Sequence, residues 1–352
     1  MRRDETKRIY VGAVPVGGGA PVTVQSMCNT DTRDAEATLQ QMRTLKAAGC
    51  DIIRVAVPDE TAARALRDIM AQAPMPVVAD IHFDHRLAIL AAEAGVSAVR
   101  INPGNIGAPE RVAAVAAVCK ERGIPIRIGV NAGSLEKRLL VKYGGPTAQA
   151  LVESAAGEIE ALHKVGFEDI ALSVKASEVT TAVAAYRLAA ERFDCPLHVG
   201  VTEAGTSYGG LVNSSVGIGT LLMEGIGDTI RVSLTADPVE EVRAGLAILR
   251  ACGLRKGGVR FVSCPTCGRT QIDLISLAKA AEKLVSGLDR DITVAVMGCE
   301  VNGPGEAREA DFGIAGGKGF GSLFVKGRVV KTKVPEAQLL DELMALIEMG
   351  GL

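Results

Sequence analysis

Short runs of β-branched and apolar residues recur along the first 235 positions, each followed by a longer Ala-rich segment with helical spacing. Strands are predicted at 22–26, 51–57, 76–82, 98–102, 125–130, 169–175, 197–202 and 229–234. The intervening stretches alternate apolar and charged residues, as in Glu36-Ala-Thr-Leu-Gln-Gln-Met-Arg-Thr-Leu-Lys-Ala-Ala. They end at Ala48-Gly49, Ala94-Gly95, Arg122-Gly123 and Val165-Gly166, where glycine supplies the left-handed cap before the next strand. Eight strand-then-helix units over about 250 residues predict an α/β chain opening with a (β/α)₈ barrel, in preference to an open doubly wound sheet.

The pattern changes after Asp237. A helix at 239–251 leads into Gly253-Leu-Arg-Lys-Gly-Gly258, which reads as a linker between a barrel domain at 1–252 and a second domain at 259–352. In the second domain the pattern predicts a strand at 259–262, a helix at 271–285 and a strand at 292–297. A glycine-rich stretch then runs to residue 321, followed by strands at 323–326 and 328–333 and a closing helix at 335–349. This is a small α+β domain.

Composition narrows the function classes. Across 352 residues, 39 Lys and Arg stand against 41 Asp and Glu, a balance that argues against a whole surface built for nucleic acid or anionic lipid. The charged start Met1-Arg-Arg-Asp-Glu-Thr-Lys-Arg lacks the apolar core of a secretion signal. The longest uncharged stretch, 204–223, is too rich in Gly, Ser, Thr and Asn for a membrane span. A cytoplasmic protein is expected, with reduced thiols.

The thiols divide into two groups. Cys28, Cys50, Cys119, Cys195 and Cys252 are scattered singly among small or apolar residues, whereas Cys264, Cys267 and Cys299 lie among Gly and Pro. The segments Ser263-Cys-Pro-Thr-Cys-Gly268 and Gly298-Cys-Glu-Val-Asn-Gly-Pro-Gly-Glu306 each follow a predicted strand, so two close thiolates and a third on a neighbouring strand end can converge on one metal centre. A structural zinc site wants four N or S ligands, and His82, His85, His163 and His198 all precede this domain. Three thiolates suit a [4Fe–4S] cluster with one iron left for an oxygen ligand or substrate. Glu306 is a candidate for that place; equally, with Pro304 at a first helical position, it reads as a first-turn acid favoured by the helix dipole. Spacing leaves both open.

The barrel strands carry cations where apolar residues are expected: Arg54, Arg100, Arg127, Lys175 and Arg231. One such residue is usually a salt bridge or a snorkelling side chain. Five on five strands of a barrel converge on one mouth, only partly offset by Asp80 and Glu203, and select a multiply charged anion such as a diphosphate. Asn102, Asn131 and Ser233 share those strand ends as neutral donors. His82 and Glu203 are candidate proton handlers, with His82 cast as an orienting group. Gly209, Gly210, Gly217 and Gly219 are read as a loop between strands seven and eight, where phosphate sites form at helix N-termini.

Cys264-Pro-Thr-Cys-Gly-Arg-Thr270 together with Met297-Gly-Cys-Glu-Val-Asn-Gly-Pro-Gly-Glu306 resembles the signature of the 4-hydroxy-3-methylbut-2-en-1-yl diphosphate synthase family, of the methylerythritol phosphate route to isoprenoids. Val24-Gln-Ser-Met-Cys-Asn-Thr-Asp-Thr32, Ala79-Asp-Ile-His-Phe83, Arg100-Ile-Asn-Pro-Gly-Asn105 and Val201-Thr-Glu-Ala-Gly205 extend the likeness over nearly the whole chain. The resemblance implies a TIM barrel followed by a reductase-like domain with a [4Fe–4S] cluster on Cys264, Cys267, Cys299 and Glu306, without the extra central domain some members carry. It implies 2-C-methyl-D-erythritol 2,4-cyclodiphosphate as substrate, held by Arg54, Arg100, Arg127, Lys175 and Arg231, with Glu203 supplying a proton and Glu306 giving way to substrate. It also implies a flavodoxin or ferredoxin donor and a head-to-tail homodimer with shared active sites. A competing expectation is a barrel lyase or transferase acting on a phosphorylated pterin or sugar with a zinc-stabilised tail. A third is a non-catalytic iron–sulfur sensor.

Overall fold

A computed structural model describes residues 2–288, 290–299 and 307–350, and the side chains of 103 and 104 are left aside. The chain forms two compact units, Met1–Arg255 and Lys256–Leu352.

The first unit opens with a hairpin, β1 (Ile9–Val11) and β2 (Val14–Val16), which the hydrophobic pattern did not announce. Eight parallel strands follow: β3 (Thr23–Met27), β4 (Ile52–Ala56), β5 (Val77–Asp80), β6 (Ala98–Ile101), β7 (Ile126–Asn131), β8 (Ile170–Lys175), β9 (His198–Val199) and β10 (Thr229–Ile230). They hydrogen-bond in the order β8-β7-β6-β5-β4-β3-β10-β9. The two ends meet where Leu172 bridges Leu197 and its N–H donates to the Pro196 carbonyl at 2.9 Å, so the sheet curls into the expected barrel. β9 and β10 are shorter than their apolar runs. β9 stops before Gly200, where an added Cβ would stand 2.5 Å from the Arg231 carbonyl oxygen and 2.9 Å from the Lys175 ammonium.

The helices between strands are α1 (Ala35–Ala47), α2 (Glu60–Gln72), α3 (His85–Glu93), α4 (Pro103–Ile106), α5 (Pro109–Arg122), α6 (Lys137–Tyr143), α7 (Ala148–Lys164), α8 (Val179–Arg192), α9 (Ser207–Met223) and α10 (Pro238–Ala251). Several begin at a side-chain cap that satisfies an otherwise orphaned N–H: Asp34 on Ala37, Asp59 on Ala62, Thr147 on Ala150 and Asp237 on Val239. Gly49, Gly95, Gly123 and Gly166 follow helices with φ between 63° and 96°, the caps read from the sequence. Each helix turns an apolar stripe to the barrel wall. In α2 that stripe is Ala62, Ala63, Leu66 and Ile69, and burying the two larger side chains contributes about 2–3 kcal/mol apiece. Hairpin residues Ile9, Val11 and Val16 pack on Ile52, Val78, Ala98 and Ala171, the inward residues at the starts of their strands, and so plug the barrel floor.

The glycines at 209–219 are not a loop. They lie within α9, and two of them are sites of close packing: a Cβ at Gly210 would stand 2.8 Å from the Gly205 carbonyl oxygen, and one at Gly217 would stand 2.7 Å from Val201, whereas Gly209 and Gly219 have open space. The loop expectation for Gly209, Gly210, Gly217 and Gly219 therefore does not hold: Gly217 and Gly219 lie deep in α9, while Gly209 and Gly210 fall in its first turn.

In the second unit β11 (Val259–Ser263), β12 (Ile292–Met297) and β13 (Phe312–Gly317) are parallel, and β14 (Phe320–Val325) and β15 (Arg328–Pro335) complete an antiparallel edge. α11 (Leu274–Val285) and α12 (Leu339–Glu348) share a core with Val294, Val296, Phe312, Ile314 and Leu323. β13 falls inside the glycine-rich stretch, where the pattern predicts no element. Its glycines are sites of close approach, since a Cβ on Gly313 would meet the Phe324 ring at 2.1 Å and one on Gly316 would meet Ile272 at 2.4 Å.

Candidate active site

Strand alternation decides what fills the barrel. In β3, Val24 packs outward against Gly245 and the Ser26 hydroxyl donates to Glu241 of α10, so Thr23, Gln25 and Met27 point inward. Barrel interiors are usually layers of Val, Ile and Leu. Here the upper layers are polar, and all five sequence-predicted cations take part.

Two of the cations share one carboxylate. Asp80, buried at the end of β5, lies 3.1 Å from Arg100 and 3.6 Å from Arg54. Arg100 also donates to the Gly129 carbonyl at 2.9 Å, and no side chain fits at 129 because a Cβ there would be 2.3 Å from the guanidinium. Arg54 aims two N–H groups at the Met27 thioether, at 3.1 and 2.9 Å. Arg231 lies 3.6 Å from Glu241, a carboxylate that also accepts from the Leu234 N–H at 2.9 Å. Arg127 donates to the side-chain carbonyl of Gln25. Lys175 is buried beside Gly200, whose missing Cβ leaves room for its ammonium. Among the described residues neither Arg127 nor Lys175 forms an ion pair.

The electrostatics follow from burial of like charges. Burial, opposed by Asp80 and aided by Arg231 and Arg100, brings the Arg54 guanidinium down to about 10. Burial and the neighbouring arginines pull Arg127 and Lys175 well below their ordinary values. Burial pushes the Asp80 carboxyl up, but Arg54, His82 and Arg100 outweigh it and hold it well below the usual carboxylate range. His198, wholly buried among these cations, is driven well below its usual value by desolvation and by Arg127, and stays neutral at pH 7. Five cations against two buried carboxylates leave the lumen strongly positive. An entering dianion or trianion relieves that field.

The smaller sequence-predicted groups separate. His82 stands at the rim, more than half exposed, with its Nε2 3.5 Å from Asp80. Glu203 is exposed in the segment after β9 and holds φ = 52°, a left-handed conformation that costs a non-glycine residue roughly 1–2 kcal/mol. Asn131 and Ser233 are half-buried at their strand ends. Asn102 is buried and its side-chain oxygen accepts from the Asn105 N–H at 3.2 Å, so part of its capacity caps α4. Sequence reasoning missed Gln25, Met27, His198 and Glu241. A Gln and a His alternating with apolar residues in buried strands were the available signal for two of them; Glu241 lies on a helix and is aligned only by the fold.

In the second unit Cys264 follows β11 and Cys299 follows β12, on neighbouring parallel strand ends. The Gly298 N–H donates to the Cys264 sulfur at 3.2 Å, and the Gln271 N–H donates to the Gly298 carbonyl at 3.1 Å, tying the two loops together. Cys267 is exposed; the Arg269 backbone N–H, with Thr270 and the Arg269 charge, draws its thiol below the ordinary value and favours the thiolate. Among the described residues no three His, Cys, Asp or Glu side chains already stand together as a metal-ligand set. Glu306 lies outside the described residues. Three soft sulfur donors, one of them tuned toward thiolate and one already accepting a backbone N–H, suit an iron–sulfur cluster. The other five cysteines are the packing residues expected: burial pushes Cys28, Cys50, Cys119 and Cys195 up to about 12, where they are inert, and Cys252 is half-buried.

Comparison with known proteins matches two stretches of the chain. Residues 6–246 match the family model described as the GcpE TIM-barrel domain, and 260–349 match the GcpE protein C-terminal domain. A relative from Geobacter sulfurreducens named 4-hydroxy-3-methylbut-2-en-1-yl diphosphate synthase (flavodoxin) is 60% identical over 344 residues, 98% of this chain and 97% of its own. One of the same name from Clostridium perfringens is 58% identical over 99% of both chains. Among solved structures, the N-acetylneuraminic acid synthetase of Leptospira borgpetersenii matches 71% of this chain and 90% of its own with a TM-score of 0.50 at 12% identity, a likeness of barrel fold alone.

Proposed function

The chain belongs to the GcpE family, and from that premise we propose how its residues carry out the two-electron reductive ring opening and dehydration of 2-C-methyl-D-erythritol 2,4-cyclodiphosphate to (E)-4-hydroxy-3-methylbut-2-enyl diphosphate. Two electrons and two protons enter, a ring C–O bond breaks, and one oxygen leaves as water. The observation that carries this reading is the gathering of five cations from five strands in one barrel lumen, two of them without a carboxylate partner among the described residues.

Arg54, Arg100, Arg127, Lys175 and Arg231 bind the diphosphate. Guanidinium groups match phosphate oxygens in pairs and Lys175 acts as a point charge, so the anion settles where the buried cations need it. Asn102, Asn131 and Ser233 add neutral hydrogen bonds at the strand ends. His82, on the Asp80 carboxylate, orients the substrate, and exposed Glu203 supplies the proton to the departing oxygen. Cys264, Cys267, Cys299 and Glu306 would hold a [4Fe–4S] cluster, which when bound would provide one-electron chemistry, suited to a flavodoxin donor such as the relatives' names carry, or a ferredoxin. The functional unit is a homodimer in which one subunit's barrel works with its partner's cluster domain, with the chain divided at 1–252, 253–258 and 259–352. Among the described residues no helix is long and apolar enough to cross a membrane, and we place the enzyme in the cytoplasm.

The lyase or transferase with a zinc-stabilised tail finds no support among the relatives. Anaerobic purification followed by assay with reduced flavodoxin and the cyclodiphosphate tests the reading. A brown protein with about four irons per chain that forms the linear diphosphate is expected. A colourless zinc protein, or a cluster protein without turnover, overturns it.

A further inference from the structure

The lumen cations are held in two chemically different ways. Arg54 and Arg100 lie within 4 Å of Asp80, and Arg231 within 4 Å of Glu241. Arg127 is held instead by an amide: its Nη1 donates to the side-chain oxygen of Gln25, a residue 2% exposed on β3. One inward position further along β3, Met27 offers its thioether to Arg54. Thus both reaching side chains on this strand are neutral acceptors.

A buried guanidinium with no fixed partner loses its geometry, and one paired with a carboxylate loses its field. Gln25 avoids both losses. Its carbonyl fixes one N–H of Arg127, while the other terminal nitrogen, Nη2, is buried with no hydrogen-bond partner among the described residues. In the ladder Arg127 lies opposite Arg100, which lies opposite Asp80; that carboxylate is held within 4 Å of Arg100 and Arg54 and reaches Arg127 only through space, without a hydrogen bond.

We propose that Gln25 is a positioning residue that fixes Arg127 without neutralising it, and so sets the charge the barrel presents to the diphosphate. This rests on the diphosphate reading above. A carboxylate at position 25 would keep the hydrogen bond and cancel the charge, so Gln25→Glu separates the clamp from the fold. Gln25→Leu removes the acceptor and leaves Arg127 unfixed.

The test is calorimetric titration of the dimeric holoenzyme with the cyclodiphosphate and with inorganic pyrophosphate, alongside steady-state kinetics and thermal unfolding. For Gln25→Glu the clamp requires a melting temperature at or above wild type, affinity and KM worse by roughly 100-fold, as one opposing charge a few ångströms from the anion implies, and kcat within about threefold of wild type. Gln25→Leu should melt lower and bind more weakly. Tight binding by wild type with Gln25→Glu binding pyrophosphate within threefold of it overturns the clamp alone. Wild-type holoenzyme that binds neither anion overturns the functional reading and the clamp with it.

Discussion

Asp80→Asn probes the charge balance of the lumen most directly. Asp80 is almost wholly buried and lies 3.1 Å from Arg100, 3.6 Å from Arg54 and 3.5 Å from His82. Asparagine keeps the shape and removes the charge, leaving two buried guanidiniums without a carboxylate. Removing one partner of a buried ion pair costs roughly 3–5 kcal/mol. At about 2–4 °C per kcal/mol for a unit of this size, the barrel should melt roughly 6–20 °C lower. Acid dependence gives an independent check. Because the folded carboxyl is held well below its unfolded value, its stabilisation is complete above about pH 4 and is lost as the pH falls toward the depressed folded value. Wild type should therefore lose stability below about pH 4 more steeply than the variant, approaching about 1.4 kcal/mol per unit for one proton. Pyrophosphate should rescue the variant more than wild type, since the extra positive charge favours the anion. Thermal unfolding followed by circular dichroism at pH 7, 5 and 3, with and without pyrophosphate, measures all three effects. A variant that melts within about 1 °C of wild type with an unchanged acid slope would refute the reasoning, because Asp80 would then be balancing nothing.

Other outcomes follow from the same structure. Lys175→Met should stabilise the ligand-free barrel at pH 7 and abolish diphosphate binding: with its folded pKa depressed, Lys175 costs stability as the pH falls through that value, so the urea midpoint of wild type should rise from pH 7 to 9 while that of the variant stays flat. Cys299→Ser should lower the iron content of anaerobically purified protein and bleach its colour while leaving the barrel's thermal transition in place; undiminished iron would remove Cys299 from the ligand set. Glu306→Ala should keep the three thiolate ligands and reduce turnover severely, and near-normal turnover would take Glu306 out of the mechanism. Gly313→Ala places a methyl 2.1 Å from the Phe324 ring and should destabilise the second unit by roughly 1–3 kcal/mol in a denaturant titration.

Much of the architecture was legible in the chain because parallel strands buried on both faces must be apolar, and the helices between them must cap and stop. The runs around Ile52, Val77, Ala98, Ile126 and Ile170 became barrel strands, and Gly49, Gly95, Gly123 and Gly166 became left-handed caps. Where glycine carried the pattern, the reading failed. Around Gly210 and Gly217 the pattern reads as a loop and the structure has a helix; around Gly313 and Gly316 it predicts no element and the structure has a strand. In each case the missing side chain makes room for a neighbour distant in sequence, Leu234, Val201, Phe324 or Ile272, which local pattern cannot reveal. The hairpin plug at Ile9–Val16 was missed for a related reason, since three-residue strands gain their stability from the barrel floor they cover.

The amino-acid sequence by itself determined the strand-and-helix alternation, the five cations placed in apolar strands, and the three thiols set in Gly and Pro turns. Composition and local spacing suffice for these, because a charge in a buried strand or a thiol in a rigid turn is costly or inert unless it is used. Only the tertiary structure decided how the cations are held: Asp80 bridging Arg54 and Arg100, Glu241 reaching Arg231 from a helix, and Gln25 fixing Arg127 with an amide instead of a charge. Three of these four pairings span 20, 26 and 102 residues, and the fourth, Arg231 with Glu241, spans 10 from a strand end onto a helix, so local pattern does not reveal them. They meet because closing a sheet into a barrel turns every second residue of every strand toward one axis.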